Sequence, residues 1–410
     1  MPEFLHLLPP QEALERLLAN LSPHVLPENL ETASAVGRVT AEAIVAPHPL
    51  PSFPRSTVDG FAVRAQDTFG ASESLPAYFT IIGEVPMGDA PQFPLERGQC
   101  ALIHTGGMLP ENADAVVMLE LTQSVRAGEV ELLKAAAPAE NVLKIGEDVA
   151  QGQVVIPAGR RLRPADIGGL MALGITHLSA ARPPRVGILS SGDEVVPPEA
   201  EIRPGQVRDV NSYSLSALVE ESGGTAQRYG ILPDRAAQLL STAQQALAEC
   251  DLVIITAGSS ASTRDLTAQV INRLGAPGVL VHGVNVRPGK PTILGVCSHK
   301  AVIGLPGNPV SALVIAGLFV TPVIEALCGL SQDRLKTEVT ATLTINLPSQ
   351  AGREDWIPVS LHRTSHGFEA EPIFGKSNLI FTLARADGLV RIPPDATGLS
   401  AGEMVEVVLT

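Results

Sequence analysis

Arg185-Val-Gly-Ile-Leu-Ser-Ser-Gly-Asp-Glu194 decides the fold. An apolar run of strand length stops abruptly in two hydroxyls, a glycine and two carboxylates, which is how a buried strand reads when it ends at a polar loop. The same grammar repeats downstream. Helical spacing over 212–221 and 234–248 separates apolar runs at 226–229 and 251–255, and a helix at 265–274 precedes a strand at 301–305 and a helix from Pro309. This alternation predicts an α/β multidomain protein whose central unit is a doubly wound, mostly parallel sheet with helices on both faces. Ligands in such sheets sit beyond the carboxyl ends of the strands. Ser190 to Glu194, Thr256-Ala-Gly-Ser-Ser260 and Pro306-Gly-Asn308 all fall there.

Working outward, Ala46-Pro-His-Pro-Leu-Pro-Ser-Phe-Pro54 carries four prolines in nine residues and favours an extended passage between domains. Short alternating runs follow, such as 77–82 and 115–119, broken by Gly and Pro as in a small β domain. Residues 140–181 hold an expected hairpin around Ala150-Gln-Gly-Gln153 and a helix opened by Pro164. The last eighty residues return to short strands and turns. We therefore expect a discontinuous N-terminal domain (1–45 plus 140–181), an inserted β domain (46–139), the doubly wound domain (182–330) and a C-terminal β domain (331–410).

Composition narrows the partners. Among 410 residues, 43 acidic side chains outnumber 29 basic ones, giving a formal charge of -14. Nucleic acid and anionic membranes attract basic surfaces, so neither is expected as a partner, and any anionic ligand must find a local basic pocket. The four cysteines are scattered without CxxC or zinc spacing and read as reduced core thiols. No signal-peptide pattern opens the chain, and the apolar run 310–324 is short for a membrane span and contains Pro322, so a buried helix in a soluble, cytoplasmic protein is expected.

Such a basic pocket is visible in Arg287-Pro-Gly-Lys-Pro-Thr-Ile-Leu-Gly295 and Leu305-Pro-Gly-Asn-Pro-Val-Ser-Ala312. Two cations three residues apart flank a Pro-Gly turn and can face one small anion. Asn308 is a good N-cap and Pro309 suits the first helical position, so a helix should start there with free N–H groups. Other segments are ambiguous by themselves. Ser190 to Glu194 suits Mg²⁺ or an ordinary polar turn, with Asp209 and Asn211 as helix caps. The loop 256–265 is a small-residue phosphate cradle ending in Asp265, or a Ser-rich loop with Asp265 as cap. Asp59-Gly60 and His104-Thr-Gly-Gly107 read as turns, and His362 with His366 as surface residues. No Ser-His-Asp order, GxSxG elbow, GxGxxG or GxxxxGK[ST] is present.

Taken in order, Ser52-Phe-Pro-Arg-Ser-Thr-Val-Asp-Gly-Phe-Ala-Val-Arg64, Thr105-Gly-Gly with Asp114-Ala-Val-Val-Met-Leu-Glu120, Gly146-Glu-Asp148, Ser190-Ser-Gly-Asp-Glu194, Arg287-Pro-Gly-Lys-Pro291 and Leu305-Pro-Gly-Asn-Pro-Val-Ser311 resemble the molybdopterin molybdenumtransferase family, that of MoeA and the gephyrin E-domain. The resemblance implies an elongated homodimer with four domains per protomer, the doubly wound one being MogA-like. It also implies a reaction: molybdate is inserted into adenylylated molybdopterin, and the adenylate is hydrolysed with help from Mg²⁺ to release AMP. A MogA-like adenylyltransferase and molybdoenzyme chaperones are the implied partners.

Carried over by position, Arg287, Lys290, Pro291 and Ser311 match the molybdate pocket, with Arg353 and Ser377 from the C-terminal domain. Asp193, Glu194 and Asp265 match metal and pterin-nucleotide positions, and Asp59, Thr105 and Asp148 match positions that complete the cleft across the dimer. Ser190, Gly258, Ser259, Pro306 and Asn308 fall in the same substrate loops. Asp265 and Lys290, with Asp59 and Asp148, are the implied catalytic residues. The loop 258–265 is one residue shorter than the family pattern and lacks its second glycine, Gly283 stands where a lysine is common, and Arg287 replaces the commoner lysine. These departures leave open a tungstate-inserting variant or a pterin-binding scaffold, and a nucleotide pyrophosphate hydrolase is a third class.

Overall fold

The computed structural model describes residues 7–257, 261–330 and 337–410. At its centre is a six-stranded sheet in the order Thr225–Leu232, Arg185–Ser191, Leu252–Ala257, Lys300–Pro306, Ile293–Cys297, Pro277–His282. The first four strands are parallel, as the strand-helix alternation predicts. The last two were passed over by that alternation, because they form an antiparallel hairpin with no helix between its arms. The segment Arg287–Lys290 belongs to the link between those arms.

Alternate side chains on each strand feed two cores, as a period of two requires. Val186, Ile188, Leu252 and Ile254 join Leu215 and Val219 of helix Asn211–Glu221 and Ile315 and Phe319 of the long helix. Leu189, Val253 and Ile255 face helices Ala236–Glu249 and Ala261–Leu274 on the other side. The long helix, Pro309–Leu327, has 19 residues and is apolar enough to cross a membrane by composition, which corrects its expected shortness. Its Val310, Ile315, Phe319, Val323 and Ile324 are nevertheless buried in the protein core. It passes through Pro322 by way of a π-helical turn, Ala316–Val320, which accommodates a residue lacking an N–H.

The N-terminal helix Pro10–Ala19 departs from the expected grouping of 1–45 with 140–181. Its buried Ala13 and Leu17 pack with Val281, Val284 and Phe319, so it completes the doubly wound layer. The chain then pairs Pro27–Glu31 with His177–Ala181 and Ile44–Val45 with Val154–Ile156. The hairpin expected at Ala150 to Gln153 is a turn only, closed by the Gln153 N–H on the Ala150 carbonyl. Its flanks pair with the N-terminal segment instead, because Val149 bridges Leu50 and Val154 meets Val45. Between these halves lies a six-stranded β domain running from Gly60–Val63 to Glu129–Leu132.

In the C-terminal domain, Glu354–Thr364, Gly367–Pro372, Glu338–Leu343, Met404–Leu409 and Gly388–Ile392 close into a barrel, because the first strand also pairs with the last. One short outside strand, Val286–Arg287, adds to it in parallel, opposing Arg287 to Asp355. The link of the central hairpin is thereby stitched to a second domain. All four cysteines are free and buried.

Candidate active site

The first wall of the site is the segment Arg287 to Pro291. Its turn is closed by the Thr292 N–H and hydroxyl, both donating to the Gly289 carbonyl at 3.2 and 2.6 Å. Gly289 has φ +113, and a Cβ there would lie 2.2 Å from Cγ1 of Ile315. Only glycine lets this turn rest directly on the helix Pro309–Ile315.

That helix start is the second wall, and it differs in detail from the expectation of free N–H groups. Asn308 occupies the N-cap position without a side-chain capping bond. Its amide instead donates to the Ser377 hydroxyl at 3.0 Å, while the Val310 N–H donates to the Ser377 carbonyl at 3.0 Å. The C-terminal domain has claimed the helix terminus and supplies the third wall.

Between these walls is a cleft of about 610 Å³. The predicted residues Arg287, Lys290, Pro291, Pro306, Asn308, Ser311, Arg353 and Ser377 all line it. Lys376, Phe374 and Trp356 line it too, and residue spacing gave no reason to single them out. Behind the cleft stands Asp355, fully buried, which no spacing pattern in the sequence singles out. Its carboxylate accepts from Arg353 Nε at 2.6 Å and Nη2 at 3.0 Å and from the Ser349 hydroxyl at 3.0 Å, with Arg287 Nη1 at 3.7 Å.

Other predicted residues do not line this cleft. Ser190 is buried and donates to Asp209 Oδ2 at 3.0 Å; Asp209 also accepts the Ser212 N–H and hydroxyl, capping the helix Asn211–Glu221. Asn211 donates to the Gly307 carbonyl at 2.8 Å and so ties that helix to the second wall. Asp193 and Glu194 are exposed beyond the strand Arg185–Ser191, Asp193 Oδ1 accepting the Asp234 N–H at 3.3 Å. Asp265 lies within helix Ala261–Leu274, which starts before it, so the cap reading is corrected. Its side chain, and the residues Gly258 and Ser259, lie outside the described residues.

Asp59 and Thr105 meet in the inserted domain. Asp59 Oδ1 accepts the Thr105 N–H at 2.7 Å and hydroxyl at 3.0 Å, and these donors, the backbone one first, hold its carboxyl below the ordinary value. Asp148 is exposed after the Lys144 to Glu147 turn. His362 is exposed on a barrel strand against Glu371.

Among the described residues no group of three or more His, Cys, Asp or Glu converges as a metal site. Two carboxylates nevertheless meet the habit of Mg²⁺, which takes one or two from protein and completes its octahedron with water and phosphate oxygens. Asp193 and Glu194 supply such a pair.

A doubly wound domain with a cleft at the end of strand Lys300–Pro306, lined by Arg287, Lys290, Arg353 and Lys376 and closed by a barrel from the same chain, defines a multidomain α/β protein. Family models described as "MoeA N-terminal region (domain I and II)", "Probable molybdopterin binding domain" and "MoeA C-terminal region (domain IV)" match residues 8–174, 187–326 and 340–410. A molybdopterin molybdenumtransferase from a Nostoc species is 34% identical over 386 residues, covering 93% of this chain and 88% of the relative. One from Haemophilus influenzae is 32% identical, covering 97% of each. A crystal structure of the molybdopterin biosynthesis MoeA protein from Pyrococcus horikoshii matches with a TM-score of 0.87 at 33% identity, covering 98% of this chain and all of that one. The chain belongs to the MoeA family.

Proposed function

We propose that this protein is a molybdopterin molybdenumtransferase, which inserts molybdate into adenylylated molybdopterin while water cleaves the phosphoanhydride and AMP departs. The observation that carries the proposal is the convergence of Arg287, Lys290 and Arg353, from two domains, on one cleft that also presents the Ser311 and Ser377 hydroxyls. Molybdate is a small tetrahedral dianion. Guanidinium forks and an ammonium neutralise it, and the hydroxyls orient its oxygens. Holding oxyanion and pterin together turns a bimolecular encounter into an oriented one, and fixed cations stabilise the charge that develops as the adenylate leaves.

Asp193 and Glu194 would hold Mg²⁺, with Asp265 as the further carboxylate implied by the family. Bound there, the metal would neutralise phosphoanhydride charge. Asp59, Thr105 and Asp148 do not line their own chain's cleft. We assign them to the cleft of a second copy in a homodimer.

AMP release from adenylylated molybdopterin with Mg²⁺, measured with and without molybdate or tungstate, tests the proposal. Release that requires an oxyanion, and that falls at least about a hundredfold in Lys290→Ala and Asp265→Ala, is the expected result. Release indifferent to oxyanion points to a nucleotide pyrophosphate hydrolase. Pterin binding without any release points to a scaffold, and a requirement for tungstate alone would change the named product.

A further inference from the structure

We infer that Asp355 is a positioning residue for the oxyanion: one buried carboxylate sets the guanidinium groups of Arg287 and Arg353 at the cleft wall. The inference rests on the function proposed above. Its geometry comes from the parallel pairing of Val286–Arg287 with the start of strand Glu354–Thr364, which puts Arg287 opposite Asp355 in register. The same junction is fixed by the Glu354 N–H on the Asn285 carbonyl and the Asn285 amide on the Gly352 carbonyl.

Arg353 meets Asp355 through Nε and Nη2, a two-point contact that fixes the guanidinium plane. Ser349 satisfies a further lone pair, so the buried charge is both paired and hydrogen-bonded. Arg287, from the other domain, stands at 3.7 Å. The two guanidinium groups share one carboxylate, which offsets their mutual repulsion most on the side of Arg353, the less exposed of the two. The side chain of Arg287 remains 62% exposed and that of Arg353 25%, so both keep surface that solvent, and hence a ligand, can reach.

The neighbouring Glu354 shows that burial of a carboxylate in this strand does not by itself create this arrangement. It is also buried, but it accepts from Trp356 Nε1 at 2.8 Å and Arg391 Nη2 at 2.7 Å, not from the cleft arginines. Of these two buried carboxylates, Asp355 is the one within 4 Å of both Arg287 and Arg353.

The test uses the full-length protein, with molybdate binding by calorimetry and AMP release as a function of molybdate and of adenylylated molybdopterin. Asp355→Asn keeps the shape and removes the charge. It should raise the half-saturating molybdate concentration about tenfold while moving that for the pterin nucleotide less than about twofold, and should add little in an Arg353→Lys background. Glu354→Gln, the control for a merely structural carboxylate, should leave molybdate saturation within about twofold. If Asp355→Asn lowers the melting temperature yet leaves molybdate saturation like that control, the inference is overturned. Should Asp355→Asn not fold, Ser349→Ala decides: a shift of about threefold in the same direction is expected, and none overturns the inference. Wild-type protein that binds molybdate and releases AMP while these variants match it sinks the positioning role alone. Wild type that does neither sinks the proposed function along with it.

Discussion

Asp59 shows how much one backbone N–H can do. Its carboxyl is held below the ordinary value of 3.8 first by the Thr105 N–H and then by the Thr105 hydroxyl. A carboxylate whose folded pKa lies below its unfolded value contributes stability above the unfolded pKa, and that contribution is lost as pH falls through the folded one. The melting-temperature difference between parent and Asp59→Asn should therefore be present at neutral pH and shrink on acidification below the carboxylate range. Thr105→Ala should retain most of that pH dependence, since the backbone donor survives; complete loss would place the effect on the hydroxyl. At this scale Arg287, Lys290, Ser311 and Asn308 were legible, because a Pro-Gly turn between two cations and an Asn-Pro helix start are local patterns. The capping role given to Asn308 was not, since its partner Ser377 lies in another domain. Asp355 was illegible for the same reason: in Gly352-Arg-Glu-Asp355 nothing local says which carboxylate turns toward Arg287.

At the scale of elements, the parallel strands and their helices could be read from apolar runs separated by helical periods. The hairpin Pro277–His282 with Ile293–Cys297 could not, because buried strands without an intervening helix carry no change of period to mark them. That hairpin matters to the site, since its link carries Arg287 and Lys290. The link is held down at Gly289, so Gly289→Ala offers a direct test of the element. The positive φ alone disfavours alanine by about 1–2 kcal/mol, and a Cβ 2.2 Å from Ile315 forces the turn off the helix Pro309–Ile315. Chemical denaturation should show a loss of about 2–4 kcal/mol, and molybdate saturation should shift to higher concentration. A stable Gly289→Ala protein with unchanged molybdate saturation would mean that the turn's seat on the helix does not set the position of Lys290.

For the whole molecule, the distribution of residues matters more than any distance. Arg287, Lys290, Arg353 and Ser377 share a cleft made by two domains of one chain, whereas Asp59, Thr105 and Asp148, which the proposed function assigns to the cleft of a second copy, do not line it. The proposed two-fold dimer would reconcile these facts, because an isologous pairing that brought one chain's inserted domain to the other's cleft would do so in both directions at once. The consequence is arithmetic. Homodimers of Asp59→Asn or of Lys290→Ala have both sites damaged, one change in each. A mixed dimer concentrates both changes in one site and leaves the other intact. Subunits of the two variants, unfolded or dissociated together and recombined in equal amounts, should form mixed dimers in about half the population, each with one working site, and recover about a quarter of wild-type AMP release. If Asp59 acts within its own chain instead, no mixed dimer has an intact site, and recombination recovers nothing above the separate variants.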